Sequence, residues 1–114
     1  MTIANFSVLC KLYLHDLIVI GDDEGKIHDD YRIEYYRIHI EQIKEAIKDG
    51  VDVRGYYPWG PIDIVSCTSS EMTKRYGFVY VDLDDYGKGT GKRTVKDSFY
   101  WYKKVIESNG DDLS

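Results

Sequence analysis

The residues that invite chemistry are few, and their spacing excludes the common reactions. His15, His28 and His39 are scattered, and neither Cys10 nor Cys67 lies at ligand spacing from any of them. Tetrahedral metal sites need tighter groupings, so no metal is implied. No Gly-x-Ser-x-Gly elbow is present to carry a nucleophilic serine. The run Gly87-Lys88-Gly89-Thr90-Gly91 contains Gly-Lys and Gly-Thr. It lacks the four-residue spacer of a phosphate-binding P-loop, so it reads as a hairpin turn.

Composition alone would not select Trp59, Ser66, Lys74 or Tyr76. On their own each has an ordinary reading. A Trp that follows a strand is usually core. Lys74 beside Arg75 reads as a solvated surface pair, His39 on a helix between Ile38 and Ile40 faces solvent, and Ser66 carries no intrinsic signal.

The elements that must position these groups fit one small domain of 114 residues. With 43% hydrophobic and 31% charged residues, the composition is that of a globular, water-soluble chain. The 11 tyrosines suit pockets and interfaces as well as cores. A net charge of −5, from 15 basic and 20 acidic residues without a basic run, argues against nucleic-acid partners. Asn5, Lys11, His15 and Asp16 break the apolar N-terminus into stretches shorter than the roughly 20 residues a bilayer demands, so no membrane role is expected. No secretory signal is read there either, and two distant cysteines suggest reduced thiols in a cytoplasmic protein.

Ile33, Tyr36, Ile40, Ile43 and Ile47 recur at spacings of three and four, which predicts an amphipathic helix over 29–49. Asp29 or Asp30 is placed to cap its start, and Gly50 to end it. Residues 51–57 alternate loosely and read as a strand stopped by Pro58-Trp59-Gly60. Residues 61–66 are ambiguous, and 67–77 form a polar loop. A second strand over 78–83, a glycine-rich turn and a return through Arg93 and Val95 make a hairpin. A second helix over 98–107 is capped by Asp97 or Ser98 and ended by Asn109-Gly110. Leu17-Ile18-Val19-Ile20 reads as a buried strand and 21–26 as a turn. The class is α/β, since a helix closed by Gly and followed at once by a strand is half of an α/β repeat.

Longer strings carry a family resemblance. Ile27-His28-Asp29-Asp30-Tyr31-Arg32-Ile33, Ala46 through Tyr56, Trp59-Gly60-Pro61-Ile62-Asp63, Lys74 through Asp82 and Lys96 through Lys103 together resemble the C-terminal part of glycoside hydrolase family 1, over about residues 26–113. The resemblance implies the last portion of a (β/α)8 TIM barrel: two helices, the last barrel strand over 51–57 and a β-hairpin, incomplete as a barrel. A whole barrel takes about 250 residues. Residues 1–25 fit no part of this pattern and read as an atypical segment, leaving 26–114 as the family portion.

The resemblance narrows further to the 6-phospho-β-glucosidase type. Relatives acting on unphosphorylated sugars usually carry a carboxylate three positions after the Asp63 equivalent, followed by Trp. Here those positions are Ser66 and Cys67. In the phospho-glycosidase subgroup a Ser there, with a downstream Lys and Tyr, holds the sugar 6-phosphate, which implies that role for Ser66, Lys74 and Tyr76. A sugar phosphate is close to a dianion near neutral pH, with a second pKa of about 6. A carboxylate would repel it, whereas two hydroxyls and an ammonium offer donors and a balancing charge. Trp59 would then wall the sugar.

The implied reaction is hydrolysis of 6-phospho-β-glucosides, without a cofactor. The family's two catalytic glutamates lie in Asn-Glu-Pro and Glu-Asn-Gly motifs, and neither occurs here. The expectation is therefore a truncated glycosidase that keeps the phosphate clamp and has no catalytic residue. The alternatives are a non-catalytic module for sugar phosphates or a protein partner, and an inactive remnant. The apolar faces of both helices would lack their barrel neighbours, so self-association is also expected.

Overall fold

The computed structural model describes residues 21–114. Cys10, His15 and the expected strand at 17–20 lie outside them. The first helix, α1, spans Asp30–Lys48, and the second, α2, spans Asp97–Glu107. Between them lie two short strands, β1 at Val79–Val81 and β2 at Arg93–Val95. The strands pair antiparallel, with Val79 opposite Val95, Tyr80 opposite Thr94 and Val81 opposite Arg93. Single parallel bridges tie Ile62 to Val79 and Ile27 to Lys96.

Both helices end as their glycines predict. The Gly50 N–H donates to the Ile47 carbonyl and the Val51 N–H to that of Ala46, each at 3.0 Å, with Gly50 at φ 87°. The Gly110 N–H reaches the Val105 carbonyl at 2.8 Å, after Asn109 turns left-handed at φ 53°. Paired closures of this kind satisfy carbonyls that the last turn leaves open. The turn at 21–26 is also present, with the Asp22 N–H donating to the Lys26 carbonyl at 2.9 Å.

The helix starts differ from expectation. Asp29 precedes α1, yet its side chain makes no capping bond there. Lys96, not Asp97 or Ser98, is the residue before α2, and it too makes no side-chain cap. Asp29 instead caps α2 from across the fold. Its carboxylate accepts from the Ser98 N–H at 2.9 Å and the Ser98 hydroxyl at 2.6 Å. Local sequence suggests a local cap, and tertiary proximity overrode it.

The core lies where α1, α2 and the strand entry meet: Tyr36, Ile40, Phe78, Trp101 and Val105. Phe78 stacks between Tyr36 and Tyr102, with ring centroids 5.2 and 4.9 Å away. The helix faces expected to be bare therefore cover each other in part. Ile47, Phe99 and Ile106 remain exposed, and the last two border an apolar groove of about 550 Å³ with Pro58, Ile62 and Tyr102.

Two other expectations are corrected. His39 is buried at 3% exposure, its Nδ1 2.6 Å from the Tyr35 carbonyl and its ring 4.1 Å from that of Tyr35. Its flanking isoleucines placed it wrongly, because the buried face of α1 is wider than one isoleucine stripe. Residues 51–57 form no ladder, since a strand exists only by pairing and no partner lies alongside among the described residues. Tyr56 alone of them packs against the core.

Candidate functional site

The loop 66–77 closes on itself before any side chain is considered. The Ser66 N–H donates to the Glu71 carbonyl, and the Ser66 carbonyl accepts from the Ser70 N–H, both at 2.8 Å. This turn buries Ser66 to 2% exposure. Its Oγ accepts from the Tyr76 hydroxyl at 3.2 Å and lies 3.2 Å from Thr68 Oγ1. Lys74 stands on the same loop, about a quarter exposed, with its Nζ 3.7 Å from a Glu71 carboxylate oxygen. The structure thus brings Ser66 and Tyr76 together, while Lys74, on the same loop, bonds to neither.

Trp59 is 65% exposed, so the core reading of it fails. It lies on the surface because the chain turns at Gly60, whose φ is 71°. A methyl group on Gly60 would sit 3.6 Å from Tyr76 Cβ, so the backbone after Trp59 runs against the loop that holds Tyr76.

Arg75 is 8% exposed and is not the solvated partner of Lys74 that the sequence suggests. Its guanidinium turns inward and donates to the carbonyls of Val81 at 2.6 Å and Leu83 at 2.7 Å. It also lies over the Tyr80 ring, 4.5 Å from the centroid. The Arg75 backbone is left-handed, at φ 50°. Arg32 donates to the carbonyls of both Arg75 and Tyr76. Lys96, with no exposed surface, donates to the Gly77 carbonyl and to Asp63 Oδ1, each at 2.7 Å. The same Asp63 oxygen accepts from the Gly77 N–H at 2.9 Å. Gly77 is obligatory, because a Cβ there would lie 2.2 Å from the Ile62 carbonyl carbon.

Burial pushes the Lys96 ammonium down to about 8, the neighbouring Arg32 charge adds to that, and the Asp63 carboxylate opposes it. A charge with so little solvent persists because three acceptors surround it. Sequence reasoning missed this buried set of Arg32, Asp63, Arg75 and Lys96. The available signal was that all four fall within the family strings.

Chemically, the loop carries two hydroxyls, that of Ser66 buried and bonded to that of Tyr76, and one partly exposed ammonium. Of its nearby acids, Glu71 lies 3.7 Å from Lys74 itself, Asp63 is buried on Lys96, and Asp82 accepts from the Thr90 hydroxyl at 2.6 Å. Among the described residues, no helix is long and apolar enough to cross a membrane.

Two helices and a two-stranded sheet are consistent with part of an α/β barrel. Residues 14–111 match the sequence profile of glycosyl hydrolase family 1, and the chain belongs to that family. It is 62% identical over 89 residues to the 6-phospho-beta-glucosidase AscB of Escherichia coli, covering 78% of this chain and 19% of that protein. It is 58% identical over 90 residues to the phospho-cellobiase of Klebsiella oxytoca, again 79% of this chain against 19% of the relative. The family 1 β-glucosidase of Thermotoga maritima superposes with a TM-score of 0.72 at 40% identity, over 82% of this chain and 20% of that one. The chain thus spans about one fifth of the length of these relatives.

Proposed function

We propose that this chain carries the phosphate-recognising corner of a 6-phospho-β-glucosidase, with Ser66, Lys74 and Tyr76 as ligands of the sugar 6-phosphate and Trp59 as a wall for the sugar. The contact that carries this reading is the Tyr76 hydroxyl on Ser66 Oγ at 3.2 Å, with Lys74 on the same loop. The 62% and 58% identical relatives named as phospho-glycosidases support it. In the whole enzyme, residues 51–57 are the last barrel strand. The reaction is retaining hydrolysis of a 6-phospho-β-glucoside by two carboxylates about 5 Å apart. Neither catalytic motif lies in this chain, so its contribution is binding and orientation.

A titration followed by proton–nitrogen spectra tests the reading. Glucose 6-phosphate should shift the amides of 66–77, and glucose should not. Equal responses to the two sugars, or none to glucose 6-phosphate, would refute the clamp. A second reading, a stand-alone binding module for sugar phosphates, draws on the small closed core around Tyr36, Phe78 and Trp101. It predicts the same binding, but no gain of hydrolysis when the remaining four fifths of a family 1 chain is added.

A further inference from the structure

The loop that bears Lys74 and Tyr76 is held by the β1–β2 hairpin, through a residue that phosphate recognition does not itself require. Asp85 lies in the hairpin turn, 11 residues after Lys74 in sequence. Its Oδ1 accepts from the N–H groups of Met72 at 2.6 Å and Thr73 at 2.9 Å. Its Oδ2 accepts from the Thr73 hydroxyl at 3.2 Å. These bonds, that of the Thr73 N–H foremost, hold the Asp85 carboxyl below the usual range.

The turn that presents Asp85 is itself fixed. Asp84 Oδ1 accepts from the N–H groups of Tyr86 at 2.9 Å and Lys88 at 2.8 Å. Asp82 ties down Thr90 through both its N–H and its hydroxyl. Gly89 runs so close to Asp82 that a Cβ would lie 2.1 Å from the Asp82 carbonyl oxygen. The loop meets this same segment a second time, where Arg75 reaches the Val81 and Leu83 carbonyls. Lys74 thus sits between two anchors, Thr73 on Asp85 and Arg75 on β1 and its continuation. Tyr76 follows directly, its carbonyl held by Arg32.

We propose that Asp85 is a positioning residue for the phosphate clamp, fixing Met72 and Thr73 so that Lys74 and Tyr76 are presented beside Ser66. This rests on the clamp reading above. Preorganised ligands bind more tightly because less freedom is lost on binding. The anchor is a charge-assisted bond to two amides, which is stronger than a neutral one. Asn keeps an oxygen that both amides can reach, and Ala keeps none.

The test uses the 114-residue chain with Asp85→Ala, Asp85→Asn and, as a control on the same turn, Lys88→Ala. Glucose 6-phosphate and inorganic phosphate are the probes, and amide hydrogen exchange is read at Arg75 and Gly77. Asp85→Ala should weaken glucose 6-phosphate binding about tenfold or more, from the loss of a charge-assisted anchor. Asp85→Asn should stay within roughly threefold of the parent, and Lys88→Ala should match it. Exchange at Arg75 and Gly77 should quicken by about tenfold in Asp85→Ala only. Unchanged exchange at both amides overturns the proposal, whatever the affinity does, as does equal weakening by Lys88→Ala. If the parent chain binds neither probe, the clamp reading falls, and exchange alone decides whether Asp85 orders the loop. Should Asp85→Ala fail to fold, Asp85→Ser, too short to span both amides, carries the same expectations.

Discussion

Asp29 precedes helix α1 in sequence, yet its carboxylate takes both the N–H of Ser98, at 2.9 Å, and the Ser98 hydroxyl, at 2.6 Å, on the first turn of α2. Its second oxygen also accepts from Arg32 Nε at 2.9 Å. One buried carboxylate therefore locks the two helices together and neutralises the guanidinium that grips the Arg75 and Tyr76 carbonyls. Asp29→Ala should destabilise the chain by about 3 kcal/mol or more, because it leaves a buried charge unpaired. Urea unfolding monitored by circular dichroism checks this. A loss below about 1 kcal/mol would mean that the carboxylate acts only as a helix cap.

Lys96 and Asp63 form the second buried pair, 2.7 Å apart with no exposed side-chain surface on either partner. Lys96→Met should cost about 3–5 kcal/mol, since Asp63 is left without its closest cation. Adding Asp63→Asn should recover part of that loss, because the unpaired charge disappears. A double-mutant cycle in urea measures the coupling, and strict additivity would contradict the pairing.

His28 ties the N-terminal turn to α2, with Nδ1 2.5 Å from Asp97 Oδ2 and Nε2 3.1 Å from Asp22 Oδ2. The Asp97 hydrogen bond, followed by that of Asp22, raises the His28 pKa above its ordinary value. The folded state therefore holds this proton more tightly than the unfolded chain does. The stabilisation is complete below about pH 6.5, the ordinary histidine value, and is lost as pH climbs through the higher folded value. Unfolding midpoints between pH 5.5 and 8.5 should fall across that window in the parent chain, and the fall should be shallower in His28→Gln.

Lys74→Ala should weaken glucose 6-phosphate binding by roughly tenfold to a hundredfold, the range for losing one charged hydrogen bond. Glucose binding should be unchanged. Calorimetric titration with both sugars checks it, and parallel losses would show that Lys74 does not recognise the phosphate.

The chain alone should not hydrolyse a chromogenic 6-phospho-β-glucoside. Retaining hydrolysis needs a nucleophilic carboxylate and a separate acid across the anomeric carbon. Asp63 is engaged by Lys96 and Asp82 by Thr90, Glu71 lies 3.7 Å from Lys74, and Asp52 lies 2.8 Å from the Arg54 guanidinium. Turnover that follows the chain through purification and vanishes in an Asp or Glu variant would overturn this.

The sequence by itself determined what depends on near neighbours. The 3.6-residue stripe fixed α1, Gly50 and Gly110 fixed the helix ends, and the glycine-rich run fixed the hairpin turn, because backbone closures span only a few residues. The family strings pointed to the Ser66, Lys74 and Tyr76 loop, and the hydroxyl contact between Ser66 and Tyr76 joins two residues only ten apart.

Tertiary structure alone decided the long-range pairings. Asp29 and Ser98 are 69 residues apart, and Asp63 and Lys96 are 33 apart. No local periodicity marks such pairs, since a buried charge and a solvated one are the same letter in sequence. The reversal of Arg75 from surface to interior came from its left-handed backbone at φ 50°, which aims its side chain at β1 while Lys74 stays at the surface. For residues 51–57 the alternation was visible, but a strand is a relation between two segments, and the partner that would make it one is not among the described residues.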